Sequence, residues 1–294
     1  TTRLIPPQPD RVDPAMHALA RYTAVAFCGL LLANSTRSAT AEEIFPDESL
    51  RAVIKEILVK KQINKEQIEE ADLKTIFFLN APERGIKDLT GLEKCTNLAS
   101  IKLPGNEIED VTPLASLKNV QELHLQNNKI TDIAPIGEMP KLQYIQLENN
   151  QVTDLDGLEK LDNLRSLYLS GNQVESLAPL AAVSKLTSLY LNDNKVSDLT
   201  PLKDLKWIEL LGLKNNQITD LSPLAGFTEL RFTFLEGNSL EDLSVLVTMA
   251  KQDVEGDQRF APYWRLYIDA DTLPDAAKAQ LAELEALGVR VNQK

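Results

Sequence analysis

Apolar residues along this chain return to the same positions every 22 residues. One stretch carries Leu98, Ile101, Leu103, Ile108, Val111, Leu114 and Leu117, and four periods on the same places hold Leu186, Leu189, Leu191, Val196, Leu199, Leu202 and Leu205. An asparagine keeps step with them at Asn106, Asn128, Asn150, Asn172, Asn194, Asn216 and Asn238. The frame extends back to Ile76, with Arg84 in place of the asparagine, so eight copies begin at residues 76, 98, 120, 142, 164, 186, 208 and 230. Within a copy the apolar spacing first has a period of two, which predicts a short strand with one buried face. The asparagine then ends the strand, because its amide can satisfy backbone groups left unpaired in a buried turn. The spacing that follows is three, with Pro113, Pro135, Pro179, Pro201 and Pro223 near its start. Proline suits the first turn of a helix and interrupts a long one, so each return leg should be 3₁₀-like or irregular. Burying a large apolar side chain is worth roughly 1.5–3 kcal/mol, and no coil can do so alone; stacking does.

The pattern changes at both ends. Before the first copy, Phe45-Pro46-Asp47 should open a helix whose apolar face is Leu50, Val53, Ile54, Ile57 and Leu58, followed by a second short helix over residues 65–71. After Leu230 the next strand start is Tyr263, a step of 33 that inserts eleven residues. The spacing there predicts a helix over 243–254, a loop over 256–262 and a ninth rung over 264–269, with Asp271 where the asparagine should be. A helix from Pro274 to Gly288 and a final cover by Val289 and Val291 complete the chain. Ahead of the N-terminal cap, Arg21 precedes a mostly apolar run over 22–33, too short to span a bilayer, and Ala39-Thr40-Ala41 offers a signal-peptidase site. This reads as a secretory leader, favoured over an uncleaved anchor. Residues 1–15 either precede a start at Met16 or form a long n-region. Phe27 ahead of Cys28 disfavours lipidation.

The motif L-x-x-L-x-L-x-x-N-x-I-x-D-L-x-P-L in 22-residue steps, with segments such as NNQITDLSPLAGFTEL (215–230) and GIKDLTGLEKCTNLASI (85–101), resembles the leucine-rich repeats of bacterial internalin-type proteins across residues 45–294. The resemblance implies an α/β leucine-rich repeat solenoid. In this curved horseshoe, parallel β lines the concave face, short 3₁₀ or irregular legs form the convex face, and helices cap both ends. The expected layout is a leader with a signal peptide at 1–41, a helical cap at 42–75, eight repeats at 76–251, and an irregular ninth repeat with a helical cap at 252–294.

Composition narrows the chemistry. Acidic residues outnumber basic ones 43 to 31 for a net charge of -12, and loss of residues 1–41 would remove four Arg and two Asp, leaving -14. That disfavours nucleic acid as a partner. Cys28 and His17 would go with the leader, so Cys95 and His124 alone remain, too few for a disulfide or a Cys/His metal site. No phosphate-cradling loop, G-x-S-x-G, H-E-x-x-H or C-x-x-C follows the leader. Glu122 and Glu148, the one plausible carboxylate pair, should lie about 13 Å apart along the strand direction, beyond the ~5–10 Å of glycosidase pairs. The repeated Asp88, Asp110, Asp132, Asp154, Asp198, Asp220 and Asp242, with Ser176 in the same frame, read as caps of the short helices rather than a metal ladder. Cys95 falls in a core column, and Asp269-Ala270-Asp271 lacks the glycine and closing glutamate of a calcium loop. No catalytic residue, cofactor or metal is therefore expected, and the chain reads as a non-enzyme.

A surface remains. Strand positions between the core residues should project from the concave face, and there the aromatics gather on one side: Tyr144, Tyr168, Tyr190, Phe232, Phe234 and Tyr267, with Leu210 among them. Gly212 should leave a notch between Tyr190 and Phe234. These residues are the candidate binding site for a protein, peptide or glycan partner outside the cytoplasm, in the periplasm, at the cell surface or secreted, with no stable membrane span after cleavage. The alternatives are a structural envelope part without a discrete ligand, in which the rings stiffen the sheet, and a cytoplasmic subunit resembling the phosphatase-regulating repeat proteins.

Overall fold

The computed structural model describes residues 39–40 and 44–292. The chain divides into two units, Thr1–Ser38 and Ala39–Lys294; the first, and with it nearly all of the expected leader, lies outside the described residues. Of that leader only Ala39–Thr40 is described, pairing antiparallel with Gln67–Ile68.

Among the described residues, ten parallel strands form one sheet in chain order. They are β1 (Phe78–Asn80), β2 (Ser100–Lys102), β3 (Glu122–His124), β4 (Tyr144–Gln146), β5 (Ser166–Tyr168), β6 (Ser188–Tyr190), β7 (Leu210–Gly212), β8 (Phe232–Phe234), β9 (Arg265–Tyr267) and β10 (Arg290–Val291). From β1 to β8 each residue pairs with the one 22 positions on, Phe78 with Ser100 through to Leu210 with Phe232. The sequence period is thus the register of the sheet. The return legs of the first seven coils are 3₁₀ turns. Five carry proline at their start, as in Thr112–Leu114 and Ala178–Ala182. The two without it, Leu92–Lys94 and Leu158–Lys160, begin after Gly91 and Gly157 at φ +100° and +94°. A Cβ on Gly91 would meet Phe45 Cδ1 at 2.6 Å, so the glycine lets Phe45 seal the first coil.

The asparagines bridge coils as well as ending strands. Asn150 Oδ1 accepts Ile130 N–H from the preceding coil at 3.0 Å, while Nδ2 donates to Leu125 O of that coil and Leu147 O of its own. The same pattern runs from Asn106 to Asn238. The residue before each takes a left-handed backbone, at Gly105, Asn127, Asn149, Gly171, Asp193, Asn215 and Gly237, as does Glu83 before Arg84 in the first coil. Apart from Glu83, these are the residue types that tolerate such φ values. Five aspartates cap: Asp110 Oδ1 accepts the first helical N–H, that of Thr112, at 2.8 Å, and Asp132, Asp198, Asp220 and Asp242 do the same two residues on, whereas Asp88 accepts Thr90 N–H, ahead of the turn Leu92–Lys94. Ser176 Oγ takes the role for Ala178, whereas Asp154 accepts the Thr153 hydroxyl instead.

At the N-terminal end α1 (Glu48–Lys60) buries Leu50, Val53, Ile54 and Leu58. Asp47 both caps it, accepting Leu50 N–H at 2.8 Å, and ties it to the first coil through Lys87 N–H at 2.8 Å. The second helix is shorter and later than its spacing suggests: α2 covers Glu70–Leu73, because Gln67–Ile68 is used as strand. At the other end lie α3 (Ser244–Glu255) and α4 (Asp275–Ala286). The inserted loop is pinned by Asp253, whose buried carboxylate accepts N–H groups of Arg259, Phe260 and Ala261. In β8 a threonine stands in the leucine column. Thr233 Oγ1 there accepts the Trp264 indole N–H at 2.9 Å. Asp271 does not continue the ladder; it lies exposed in the 3₁₀ turn Ala270–Thr272. Asn292 takes that place from further along the chain, with Oδ1 accepting Ile268 N–H and Nδ2 donating to Ile268 O. The spacing could not reveal this, because the insertion and α4 break the 22-residue count. Val291 closes the sheet within β10, beside Leu266.

Candidate binding surface

In each strand of β3 to β9 the middle residue is buried in the core and its neighbours lie on the opposite face, as with Leu167 between Ser166 and Tyr168; of these neighbours Ser188 and Gly212 are themselves covered. This alternation puts all seven predicted residues on one face. Tyr144, Tyr168, Tyr190, Leu210, Phe232, Phe234 and Tyr267 are all half-buried there. The rings cover one another. Centroids are 5.3 Å apart from Tyr144 to Tyr168, 5.2 Å from Tyr168 to Tyr190, 6.1 Å from Tyr190 to Phe234 and 4.8 Å from Phe234 to Tyr267. Two pairs are nearly parallel, at 7° and 8°. Parallel strands in perfect register place equivalent side chains about 4.8 Å apart, which suits aromatic stacking. Phe232 stands outside the stack, with the Arg265 guanidinium 5.3 Å above its ring.

Two features were not legible. His124 extends the stack, 5.1 Å from Tyr144; its place in the column of Gln146, Tyr168 and Tyr190 was the available signal. The notch at Gly212 is not open. Gly212 is buried, and a Cβ there would lie 2.6 Å from Tyr190 Cδ1, because the ring leans across toward Phe234. The missing side chain permits the stack to continue past an empty rung. The most exposed large apolar side chain on this face is one the aromatic cluster does not include, Phe78 at β1, 70% exposed.

Polar groups border the rings. His124 Nδ1 lies 2.7 Å from Gln146 Oε1, and burial pulls its pKa below the usual imidazole value. Glu122 accepts from Ser100 Oγ and pairs with Lys102 at 3.4 Å. Burial, then neighbouring Tyr168, pushes the Tyr144 phenol up to about 12, so it stays a hydrogen-bond donor at neutral pH. Burial also pushes the Glu148 carboxyl up. Among the described residues the buried side-chain polar atoms lacking a hydrogen-bond partner are His124 Nε2, Gln126 Oε1, Glu148 Oε2 and Glu236 Oε2. All four belong to this face. The remaining candidate chemistry is structural. Cys95 is buried, its thiol pushed up to about 12 by burial. Asp269 accepts Gly237 N–H at 2.7 Å, and no group of three or more His, Cys, Asp or Glu is gathered as a metal site among the described residues. The arrangement can therefore bind through stacked ring edges, phenol hydroxyls and unmet acceptors.

Residues 118–160 and 162–204 match the family model for Leucine Rich repeats (2 copies). No curated protein matches the chain in sequence. Among solved structures, an internalin C2 from Listeria monocytogenes is 33% identical with a TM-score of 0.67, over 72% of this chain and 93% of its own. An internalin (inlF) from the same organism is 24% identical with a TM-score of 0.55, over 88% of this chain and 92% of its own. The Arabidopsis receptor kinase HAESA, in complex with the peptide hormone IDA and the co-receptor SERK1, is 20% identical with a TM-score of 0.53, over 60% of this chain and 33% of its own. The last two are similar in fold alone.

Proposed function

We propose that this chain, which belongs to the internalin family of leucine-rich repeat proteins, is an exported, non-catalytic module that binds a protein or peptide through the solvent face of its sheet. The observation that carries this reading is the aromatic stack from Tyr144 to Tyr267. Mutual stacking covers ring faces, most completely in the near-parallel pairs of Tyr168 with Tyr190 and Phe234 with Tyr267, and leaves ring edges for a partner. A sugar is held against a ring face, so the arrangement favours a protein or peptide over a glycan. A solved neighbour of the same fold, the HAESA receptor, is in complex with a peptide hormone. Export rests on the leader at 1–41 with cleavage after Ala41; no helix among the described residues is long and apolar enough to cross a membrane. Intact mass of the protein recovered from fractionated cells tests it, and a full-length chain found only in the cytoplasm would favour the regulatory-subunit alternative.

The experiment for the site is affinity capture from envelope and culture fractions with the wild-type chain, Tyr190→Ala, and Lys160→Ala on a return leg. The partner should remain with Lys160→Ala and bind Tyr190→Ala about tenfold or more weakly, as for an aromatic hot spot. Loss in Lys160→Ala alone would move the site to the other side of the coils. A second reading has its own support: rings that touch each other also stiffen the sheet. On that reading Tyr190→Ala lowers stability and captures every partner unchanged.

A further inference from the structure

Two carboxylates on the sheet face, Glu148 and Glu236, each hold one oxygen that finds no partner inside the chain. Glu148 and Glu236 hold the same position in their coils, two residues beyond the column of Tyr168, Tyr190 and Phe234. They are four rungs apart, about 19 Å at roughly 4.8 Å per rung. Each has an oxygen that is covered and bonded to nothing, and Gln126 Oε1, one rung before Glu148, is in the same condition. The basic side chains of this face do not meet them. Lys102 is engaged with Glu122 at 3.4 Å, Arg265 lies over Phe232, and Lys214, one rung before Glu236, leaves that carboxylate oxygen without a bond. Burial raises the Glu148 pKa, the mark of a charge that lacks a counterion. Buried acceptors left unmet oppose folding, and a donor supplied by a partner would relieve that cost.

What they lack is a donor with positive charge. We infer that the occupant of this face is a basic, extended segment of a protein partner, with a lysine or arginine reaching Glu148, a second reaching Glu236, and apolar residues between them against the ring edges. This rests on the reading of the face as a binding site. An extended segment rises about 3.3 Å per residue, so the two basic residues are about six apart. Lysine and arginine carry three and five donors and no acceptor, which suits the Gln126 and Glu148 oxygens together. The terminal torsion of glutamate is broad, so the covered oxygen can turn outward to meet the incoming cation. The net charge of -12 attracts such a segment from a distance.

Selection of a displayed random peptide library, about nine residues long to exceed that span, on the wild-type chain and on the Glu148→Gln/Glu236→Gln variant tests this. Glutamine keeps the shape and removes the charge, and circular dichroism confirms that the variant is folded. The expected result is enrichment of Lys or Arg at two positions about six apart on the wild type, absent on the variant. A synthetic peptide of the selected sequence should bind the wild type about tenfold more tightly than the variant. Norleucine in place of its basic residues should cause the same loss with the protein unaltered. Selected peptides that Tyr190→Ala abolishes but that carry no basic residues would overturn this inference and leave the binding face standing. No selected peptide at all would overturn both.

Discussion

Replacing Asn150 with alanine removes the ladder at its centre, and its cost can be worked from the bonds lost. Asn150 Oδ1 accepts Ile130 N–H at 3.0 Å; Nδ2 donates to Leu125 O and Leu147 O at 3.0 Å each and to Glu148 O at 3.4 Å. The two carbonyls in the core are not orphaned by the change. Leu125 O keeps Asn128 Nδ2 at 2.9 Å, and Leu147 O keeps Asn172 Nδ2 at 2.9 Å. Ile130 N–H loses its acceptor in a site closed to water, at about 1–3 kcal/mol. The weakened carbonyl bonds add to this, so the expected loss is about 2–4 kcal/mol. Asn150→Asp should cost at least as much: it keeps an acceptor for Ile130 but turns a second oxygen toward Leu125 O and Leu147 O. Asn97→Ala is the control. Asn97 is half-buried and its amide makes one solvent-exposed bond, to Lys74 O at 2.8 Å, so the change should stay within about 0.5 kcal/mol. Urea unfolding followed by far-UV circular dichroism measures all three. Hydrogen exchange at Ile130 adds a local readout, since a stacked array can open in part. Equal midpoints for Asn150→Ala and Asn97→Ala, with unchanged slopes, would refute the bridging role of the ladder.

Gly212→Ala should force the Tyr190 ring aside, since the new Cβ would lie 2.6 Å from Tyr190 Cδ1; the near-UV circular dichroism of the tyrosines should change while the far-UV spectrum does not. Gly157→Ala combines φ +94° with a Cβ 2.7 Å from Ala134 O and should cost more than the ~1 kcal/mol of an ordinary glycine change, read from the urea midpoint. His124 has a lowered pKa in the fold, so the unfolded chain takes up the proton first. Its contribution is present above the ordinary value of 6.5 and is lost as pH falls through the lowered folded value; His124→Gln should remove that part of the slope of stability between neutral and acid pH. Glu148 acts in the opposite sense. Its raised folded pKa makes stability decline as pH rises from 4.5 through the folded value, and Glu148→Gln should therefore be more stable than wild type at neutral pH, as thermal unfolding would show.

The period of 22 carried most of the architecture. It defined the strands, the parallel register, the asparagine column and the 3₁₀ legs, because in a stack each coil meets only its neighbours and one repeat states the contacts of all. Strand alternation likewise assigns Tyr144, Tyr168, Tyr190, Leu210, Phe232, Phe234 and Tyr267 to one face. The rest depended on where side chains meet across coils. Sequence spacing cannot show that Asn150 serves Ile130 in the preceding coil, that Tyr190 leans over Gly212, or that Glu148 and Glu236 each hold an oxygen with no partner. Rotamers and packing decide these, and they differ between rungs that share one backbone. At the C-terminal end the count itself fails: Asn292, rather than Asp271, satisfies Ile268. There the chain leaves the repeat and returns through a helix, so the closing contact joins residues that no local period relates.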